Sequence, residues 1–386
     1  MTYNVRTDIR IQYYDTAVFD YVDIQCDSYE IDIDRGIDIE RNVFARPKVG
    51  IATVRMVKKS LYDLLNPTGP AYKSNNLFRI QYQYIAGGWL NLFSGIIQNF
   101  EISYNAESKK LDITITANDY MKIGLNTNIT SFSIASSPGY SYRNVIAQLG
   151  TAINAIDSRF VLTQSGTAGS TTYQRADVIS NVPSGELFTR FLDAELGWLW
   201  VDRDSAAKYM TRLDVDAKQS TSWVSGGLTV SNVHSTSANH VCMDYMNLTY
   251  ISDEIANQVR VENVATGVKT TSTNSSSVTA YGRQLADFAV DFDPSLPSGA
   301  PVTYANWATA VATAATPRRL SSVSIPAVLD SGNVSDIVTK EIGDTLQVEF
   351  AATGFSTMQE VTIISSINHV ITADHWEMNI GLWEGI

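Results

Sequence analysis

The side chains that most often act as metal ligands are few in this sequence, and their spacing is unfavourable. Of the four histidines, His234 and His240 are six residues apart, as are His369 and His375. On a regular strand that spacing separates two side chains by about 20 Å. Neither pair then shares a metal unless a turn brings its members together. We therefore predict no metal site, and we expect His369 to be a packed strand residue.

Three Asp-x-Asp pairs resemble the start of a calcium-binding loop. They begin at Asp202, Asp214 and Asp291, but none is followed by glycine at position six and glutamate at position twelve. The nucleophile-elbow, zinc-protease and P-loop motifs are absent from the sequence. A glycosidase-type carboxylate pair remains open among 40 acidic residues, yet nothing singles one out. The sequence therefore predicts no catalytic residues, no cofactor and no enzymatic activity.

Acidic residues recur in one N-terminal segment, and they are the candidate binding residues of the chain. They are Glu30, Asp32, Asp34, Asp38 and Glu40. One interpretation is an ordinary solvated strand face. The other is an electronegative rim that lines a channel or meets a partner. The net charge of −12 argues against a surface that binds duplex DNA, because phosphate contacts need clustered Lys and Arg. Such a charge suits a surface that DNA slides past.

The elements that must position this segment are predicted to be β-strands. Apolar and polar residues alternate from Tyr29 to Asp34, which is the period of a half-buried strand. The same period runs through the stretch Leu77–Tyr120, with turns at Gly87-Gly88 and at 105–110. That stretch predicts a meander of antiparallel strands with one apolar face, as in a sandwich or a small barrel.

Two helices are predicted between the strand-rich parts. Apolar residues repeat at helical spacing over 145–156, with Ser141 as the N-cap. A second helix follows Pro183, with Ser184 as its cap and Gly197 at its end. Trp198 and Trp200 come directly afterwards. We expect them to be buried against that helix rather than exposed for stacking on carbohydrate.

An ordered series of short motifs runs along the whole chain. Its members are Ile33-Asp34-Arg35-Gly36, Gly50-Ile51-Ala52-Thr53-Val54, Phe93-Ser94-Gly95-Ile96-Ile97, Asn118-Asp119-Tyr120, Ala194-Glu195-Leu196-Gly197, Asn257-Gln258-Val259-Arg260-Val261, Ser277–Gly282, Pro317–Leu320, Ile342–Leu346, His369 and Trp376. Each motif alone is loose. Their order resembles that of the baseplate-hub and tail-tip minor tail proteins of long-tailed phages, the siphophages.

The resemblance implies a mainly β fold with α+β insertions. Two β-barrel hub domains are expected, joined by a small α/β lobe, in a subunit that forms rings. The first barrel is expected at 1–130 and the lobe at 131–227. The second barrel is expected at 228–386, with a helical insertion near 281–317 that includes an alanine-rich helix at 305–315.

The resemblance also implies a structural virion protein at the distal end of the tail. Its partners would be two further copies of itself in a homotrimer, the distal tail protein, the C terminus of the tape-measure protein, and other tip or receptor-binding proteins. The ring would form the DNA exit channel, through which genome DNA passes without specific binding. No run of residues approaches the ~20 apolar residues of a membrane span, and the N-terminal segment is not a signal peptide. Synthesis in the host cytoplasm is therefore expected.

Two other functions remain open from the sequence. A receptor- or carbohydrate-binding minor tail protein is suggested by the seven tryptophans and by the Ser/Thr/Asn-rich segment 270–277, predicted to be an exposed hairpin. A tail-associated cell-wall hydrolase is the less favoured alternative, because the sequence offers no candidate carboxylate for it.

Overall fold

The computed structural model describes most of the chain. The described residues are 8–40, 44–58, 74–83, 88–107, 109–134, 141–166, 177–219, 221–224, 227–233, 240–250, 256–290, 305–306, 318–326, 336–351 and 356–384. The alanine-rich helix predicted at 305–315 lies outside them except for its first two residues. Among the described helices, none combines the length and the apolar character needed to cross a bilayer.

Strands make up most of the described chain. The first thirteen are β1 (Ile9–Asp15), β2 (Asp20–Asp23), β3 (Ser28–Glu40), β4 (Phe44–Pro47), β5 (Ile51–Lys58), β6 (Leu77–Gln83), β7 (Trp89–Asn105), β8 (Lys110–Asn118), β9 (Asn128–Ile129), β10 (Phe132–Ile134), β11 (Leu162–Gln164), β12 (Asp177–Ile179) and β13 (Val182–Pro183). They are followed by β14 (Trp198–Val201), β15 (Ala207–Met210), β16 (Thr229–Ser231), β17 (His240–Cys242), β18 (Tyr245–Tyr250), β19 (Gln258–Asn263), β20 (Lys269–Thr273), β21 (Leu285–Val290), β22 (Arg318–Pro326), β23 (Thr345–Phe350), β24 (Met358–Thr372) and β25 (Trp376–Trp383). The mainly β character predicted from the sequence is confirmed.

The helices are short and lie mostly in the middle of the chain. They are α1 (Met121–Asn126), α2 (Tyr142–Ile156), α3 (Ser184–Glu195), α4 (Arg212–Gln219) and α5 (Ser275–Tyr281). Ser141 caps α2 as predicted, because its Oγ accepts a hydrogen bond from the Asn144 N–H at 3.4 Å. Around these helices lie small sheets, among them β11-β15-β14, and a separate sheet β20-β19-β21.

Three details predicted from the sequence are wrong, two about helix ends and one about a hairpin. Ser184 does not cap α3, since its hydroxyl donates to the Gly124 carbonyl at 2.5 Å instead. The left-handed residue that ends α3 is Leu196, with φ 56°, and not Gly197. The segment 270–277 is not a hairpin: it contains the end of β20 and the start of α5, which Asn274 caps.

Fifteen of the described strands form one sheet that includes the first and the last of them, β1 and β25. Its main path is β17-β16-β23-β24-β3-β5-β8-β7-β6-β1-β2, with β25, β22 and β18 continuing from the other edge of β24. The predicted meander is confirmed as β6, β7 and β8, which pair in antiparallel order. The described pairings leave β17 and β2 as the two ends of this path, so they do not close it into a barrel.

Strand β3 joins the two halves of this sheet. One of its edges pairs with β5, from the N-terminal half, and the other with β24, from the C-terminal half. Gly36 makes the second pairing possible, since a Cβ there would lie 2.5 Å from the Cβ of Ser366 on β24. The Arg-Gly motif of the sequence therefore marks the junction between the halves.

The apolar face of the sheet curls around a shared core. Ile31 and Ile33 of β3 are fully buried on that face. Tyr82 of β6 packs edge-on against Trp376 of β25, with ring centroids 5.0 Å apart. These two strands are separated by five others along the sheet, so their contact shows that the sheet bends strongly.

Candidate functional site

The predicted acidic residues lie on β3, on the face opposite the core. Glu30, Asp32 and Asp38 are exposed and Asp34 is half-buried, while the Glu40 side chain is outside the described set. Alternation with the buried isoleucines of the same strand produces this arrangement. The structure therefore brings Glu30, Asp32 and Asp34 together on one surface, as the spacing predicts.

Neighbouring strands extend this surface with polar side chains. Across β24, Asp34 lies opposite Asn368, which lies opposite Asn379 on β25. In the other direction Asp32 lies opposite Thr53 on β5, which lies opposite Thr116 on β8. We call this surface the acidic face. It spans the junction between the two halves of the chain.

The charges on the acidic face differ in how far they are neutralised. Lys48 donates to Asp34 at 2.6 Å, and Arg55 pairs with Glu30 at 3.0 Å. Asp32 accepts a hydrogen bond from the Asn368 amide at 2.8 Å, which leaves its charge in place.

Asp38 is opposite Arg46, whose guanidinium instead pairs with Asp193 of α3. Among the predicted residues whose side chains are described, Asp32 and Asp38 therefore carry the least compensated negative charge.

A second group of charges lies on the core side of the same strand. The Arg35 side chain, 2% exposed, donates through Nη1 to Glu341 Oε1 at 2.8 Å. The other oxygen of Glu341 accepts from the Arg203 backbone N–H at 3.1 Å and from its Nε at 2.9 Å. The remaining nitrogens of Arg203 donate to the carbonyls of Val338, at 2.8 Å, and of the two residues after it. We call Arg35, Glu341 and Arg203 the junction cluster.

The junction cluster holds three parts of the chain together. Arg35 comes from β3, Arg203 from the turn between β14 and β15, and Glu341 from the segment before β23. Burial alone would raise the pKa of Glu341, but the two guanidiniums outweigh it and lower that pKa to about 2. The carboxylate therefore stays ionised at neutral pH and bridges two cations. This arrangement is a structural lock rather than an acid or a base for chemistry.

Two further titratable groups border the junction cluster. His369 of β24 is 2% exposed and accepts a hydrogen bond from Trp376 Nε1 at 3.3 Å. Burial and the nearby Arg35 and Arg203 lower the pKa of His369 to about 3, so the imidazole is neutral. The prediction that His369 is a packed strand residue is confirmed.

Asp119, at the end of β8, accepts from the N–H groups of Gly50 and Met121, both at 2.9 Å. Burial raises the pKa of Asp119 to about 7, against the effect of those hydrogen bonds and of Arg35. A side chain at Gly50 would overlap the Asp119 carboxylate. The glycine is therefore needed for the close approach of backbone and carboxylate.

Several of the sequence motifs converge on this region. Arg35, Gly50, Asp119, His369 and Trp376 come from motifs far apart in the chain and lie in or beside the junction cluster. Sequence reasoning missed the partners that complete it, Glu341 and Arg203. The available signal was the Ile342–Leu346 motif, because Asp344 accepts the Glu341 N–H at 2.9 Å and so fixes that turn.

The Asp-x-Asp pairs and the histidines do not assemble a metal site in the described residues. Asp202 accepts from the N–H groups of Asp204 and Ala206, as in an ordinary turn. Asp214 is part of a capping box at the start of α4, where its carboxylate accepts from Thr211 Oγ1 at 2.7 Å. The pair that begins at Asp291, and His234, lie outside the described residues.

The two tryptophans of β14 are buried, which confirms the prediction of their burial. Trp198 and Trp200 are each 2% exposed. The Trp198 ring packs edge-on against Trp383 at 5.2 Å, and the Trp200 ring approaches Gly343. Trp198 therefore packs β14 against β25, and neither ring is available for stacking on a sugar.

Comparison with known proteins identifies relatives by structure only. No family model matches the sequence, and no curated protein matches it. The tail protein from Neisseria meningitidis MC58 has 10% sequence identity and a TM-score of 0.59, over 97% of this chain and 98% of that one. The 43 kDa tail protein of prophage MuSo2 from Shewanella oneidensis has 12% identity and a TM-score of 0.58, over 97% and 98%. The chain thus has, over nearly its whole length, the fold of phage tail proteins.

Proposed function

We propose that this protein is a structural subunit of the baseplate hub or tail tip of a long-tailed phage. Three copies form a ring at the distal end of the tail. The ring connects the tail tube to the tip and receptor-binding proteins and surrounds the DNA exit channel. The full-length match to the fold of two tail proteins is the observation that carries this proposal.

The internal organisation of the chain supports a load-bearing role. One sheet runs through both halves, and the junction cluster ties them to the central lobe with a buried carboxylate between two arginines. Two barrel-like halves per subunit would give six similar units in a trimer. Such a ring matches a sixfold tube above to a threefold tip below.

The acidic face is the proposed lining or rim of the channel. DNA carries about one negative charge per 1.7 Å of axis, and Lys or Arg contacts would retain it by releasing counterions. Asp32 and Asp38 are exposed and have no basic partner among the described side chains, so they would repel passing phosphates. The basic side chains described beside this face, Lys48 and Arg55, are both paired with its carboxylates, which favours passage over binding.

The copy number per particle tests the trimeric ring. Quantitative mass spectrometry of purified virions, scaled to the major tail-tube subunit, measures it. We expect three copies per tail. One copy, or a number that follows the side fibres, would contradict the proposal.

A further inference from the structure

A polar cleft of about 400 Å³ lies where β7 and β8 meet α1 and the turn after α2. This volume is within the range of small-ligand sites. Its polar lining includes Ser74, Asn75, Gln98, Asn118, Asn126 and Arg159, and isoleucines provide the apolar part. No member of the junction cluster lines the cleft, but Asp119, which borders that cluster, does.

The walls of the cleft are held in place before any ligand arrives. The Arg159 guanidinium makes a two-point contact with Asp157, with Nε–Oδ1 at 2.9 Å and Nη2–Oδ2 at 2.6 Å. On the strand side, the Asn75 backbone N–H donates to the Ile97 carbonyl at 2.8 Å, and the Asn118 amide donates to Gln98. Pre-organisation of this kind lowers the entropy that a ligand must lose on binding.

Three side chains of the lining have unused hydrogen-bonding capacity. The amides of Asn75 and Asn126 and the ammonium of Lys122 make no hydrogen bond or ion pair with the residues that the structure describes. Lys122 is half-buried, and Asn75 and Asn126 are exposed to solvent. The two carboxylates of the cleft are already engaged, Asp157 by Arg159 and Asp119 by two backbone N–H groups. Lys122 is therefore the one cation of the cleft lining without an ion pair among the described residues, while Asp119, whose pKa burial raises to about 7, is only partly ionised near neutral pH.

This combination of groups selects a class of ligand. A carboxamide offers a donor and an acceptor side by side, which matches the adjacent hydroxyls of a sugar ring. The unpaired ammonium matches a carboxylate or phosphate substituent. Isoleucine side chains at 96, 97 and 123 suit the C–H faces of the ring. An acidic peptide also presents an anionic group, together with backbone N–H and C=O groups that match the two carboxamides, so triglutamate is the competing ligand in the test below.

We propose that this cleft binds an acidic saccharide unit. Asn75 and Asn126 hydrogen-bond to its hydroxyls, and Lys122 pairs with its anionic substituent. The site gives the subunit a direct contact with an anionic glycan. It does not depend on the position of the chain in a ring.

Titration of the purified full-length protein with small sugars tests the site. The ligands are D-glucuronate, glucose 6-phosphate and D-glucose. Isothermal titration calorimetry measures the dissociation constant of each. We expect an acidic sugar to bind ~5-fold more tightly than D-glucose, equivalent to one exposed ion pair of about 1 kcal/mol. The two acidic sugars distinguish a carboxylate from a phosphate as the preferred substituent.

Variants assign the contacts to individual side chains. Lys122→Gln should reduce the affinity for the acidic sugar to that for glucose, and Lys122→Arg should restore the preference. Asn126→Ala should weaken the binding of all three sugars to the same extent. Lys109→Gln, in the hairpin at the far end of β7 and β8, is the matched control and should change nothing. Far-UV circular dichroism verifies that each variant is folded.

Three results would overturn the proposal. One is the absence of any saccharide binding at millimolar concentration. Another is displacement of glucuronate by acetate or inorganic phosphate at the same concentration, together with no binding of glucose. That result would mean that the site binds anions and not sugars. The third is tighter binding of triglutamate than of any acidic sugar, which would make the cleft a peptide site.

Discussion

Removal of the charge at Glu341 should destabilise the protein by about 3 kcal/mol at pH 7. The pKa of this carboxyl is lowered from 4.5 to about 2, and about 1.4 kcal/mol corresponds to each unit. Glu341→Gln removes the anion between two arginines that are 2% and 8% exposed. The loss agrees with the 3–5 kcal/mol typical when one partner of a buried ion pair is removed.

The effect of this substitution should depend on pH. A carboxyl whose pKa is lower in the folded state contributes stability that is fully present above its unfolded pKa, near 4.5. That contribution is lost as the pH falls toward 2. The difference in free energy of unfolding between wild type and Glu341→Gln should therefore shrink between pH 4.5 and pH 2.

A double-mutant cycle in urea identifies the interaction responsible. Arg35→Met should lower the free energy of unfolding less in the Glu341→Gln background than in the wild type, with a coupling energy of about 1–3 kcal/mol. Glu107→Gln, in the exposed β7–β8 turn, is the control and should change stability by less than about 0.5 kcal/mol. Additive effects of the two cluster mutations would refute the idea that these residues lock the junction.

Four further substitutions test other parts of the structure. Because the pKa of Asp119 is raised to about 7 in the folded state, the free energy of unfolding of the wild type should fall as the pH rises from 4 to 7. Asp119→Asn should remove that pH dependence in urea titrations. Trp376→Ala should lower the free energy of unfolding by about 3–5 kcal/mol, as for other buried aromatics. Gly36→Ala should cost about 1–3 kcal/mol by the same measurement, because its Cβ meets β24. Asp32→Lys with Asp38→Lys should slow DNA ejection at low salt, where screening is weakest.

Matched variants accompany these four tests. Gly88→Ala, where a Cβ meets no atom within 4 Å, is the control for Gly36→Ala. Lys substitutions at Glu107, in the exposed β7–β8 turn, and at Asp20, exposed at the start of β2, give the same charge change away from the acidic face. If the free energy of unfolding of Asp119→Asn depends on pH as that of the wild type does, the raised pKa of the buried Asp119 carboxyl is contradicted. A neutral Trp376→Ala would mean that this ring faces a partner instead of the core, and ejection at the wild-type rate would remove the acidic face from the DNA path.

The local parts of this structure were predictable from the sequence, and the distant contacts were not. The alternation around Asp32 identifies a strand because period two is a local property. Arg35 and Glu341 are 306 residues apart, so no local pattern relates them. The cap of α3 was mispredicted for a similar reason: the Ser184 hydroxyl bonds to Gly124, 60 residues earlier. Only the order of the motifs indicated that these segments meet.

A cryo-EM reconstruction of the distal tail tests the central claim most directly. We predict a threefold ring of this chain around the tail axis, with Asp32 and Asp38 of each copy facing the lumen or its rim. A position in the side fibres, a single off-axis copy, or a ring with these carboxylates on its outer wall would contradict the account.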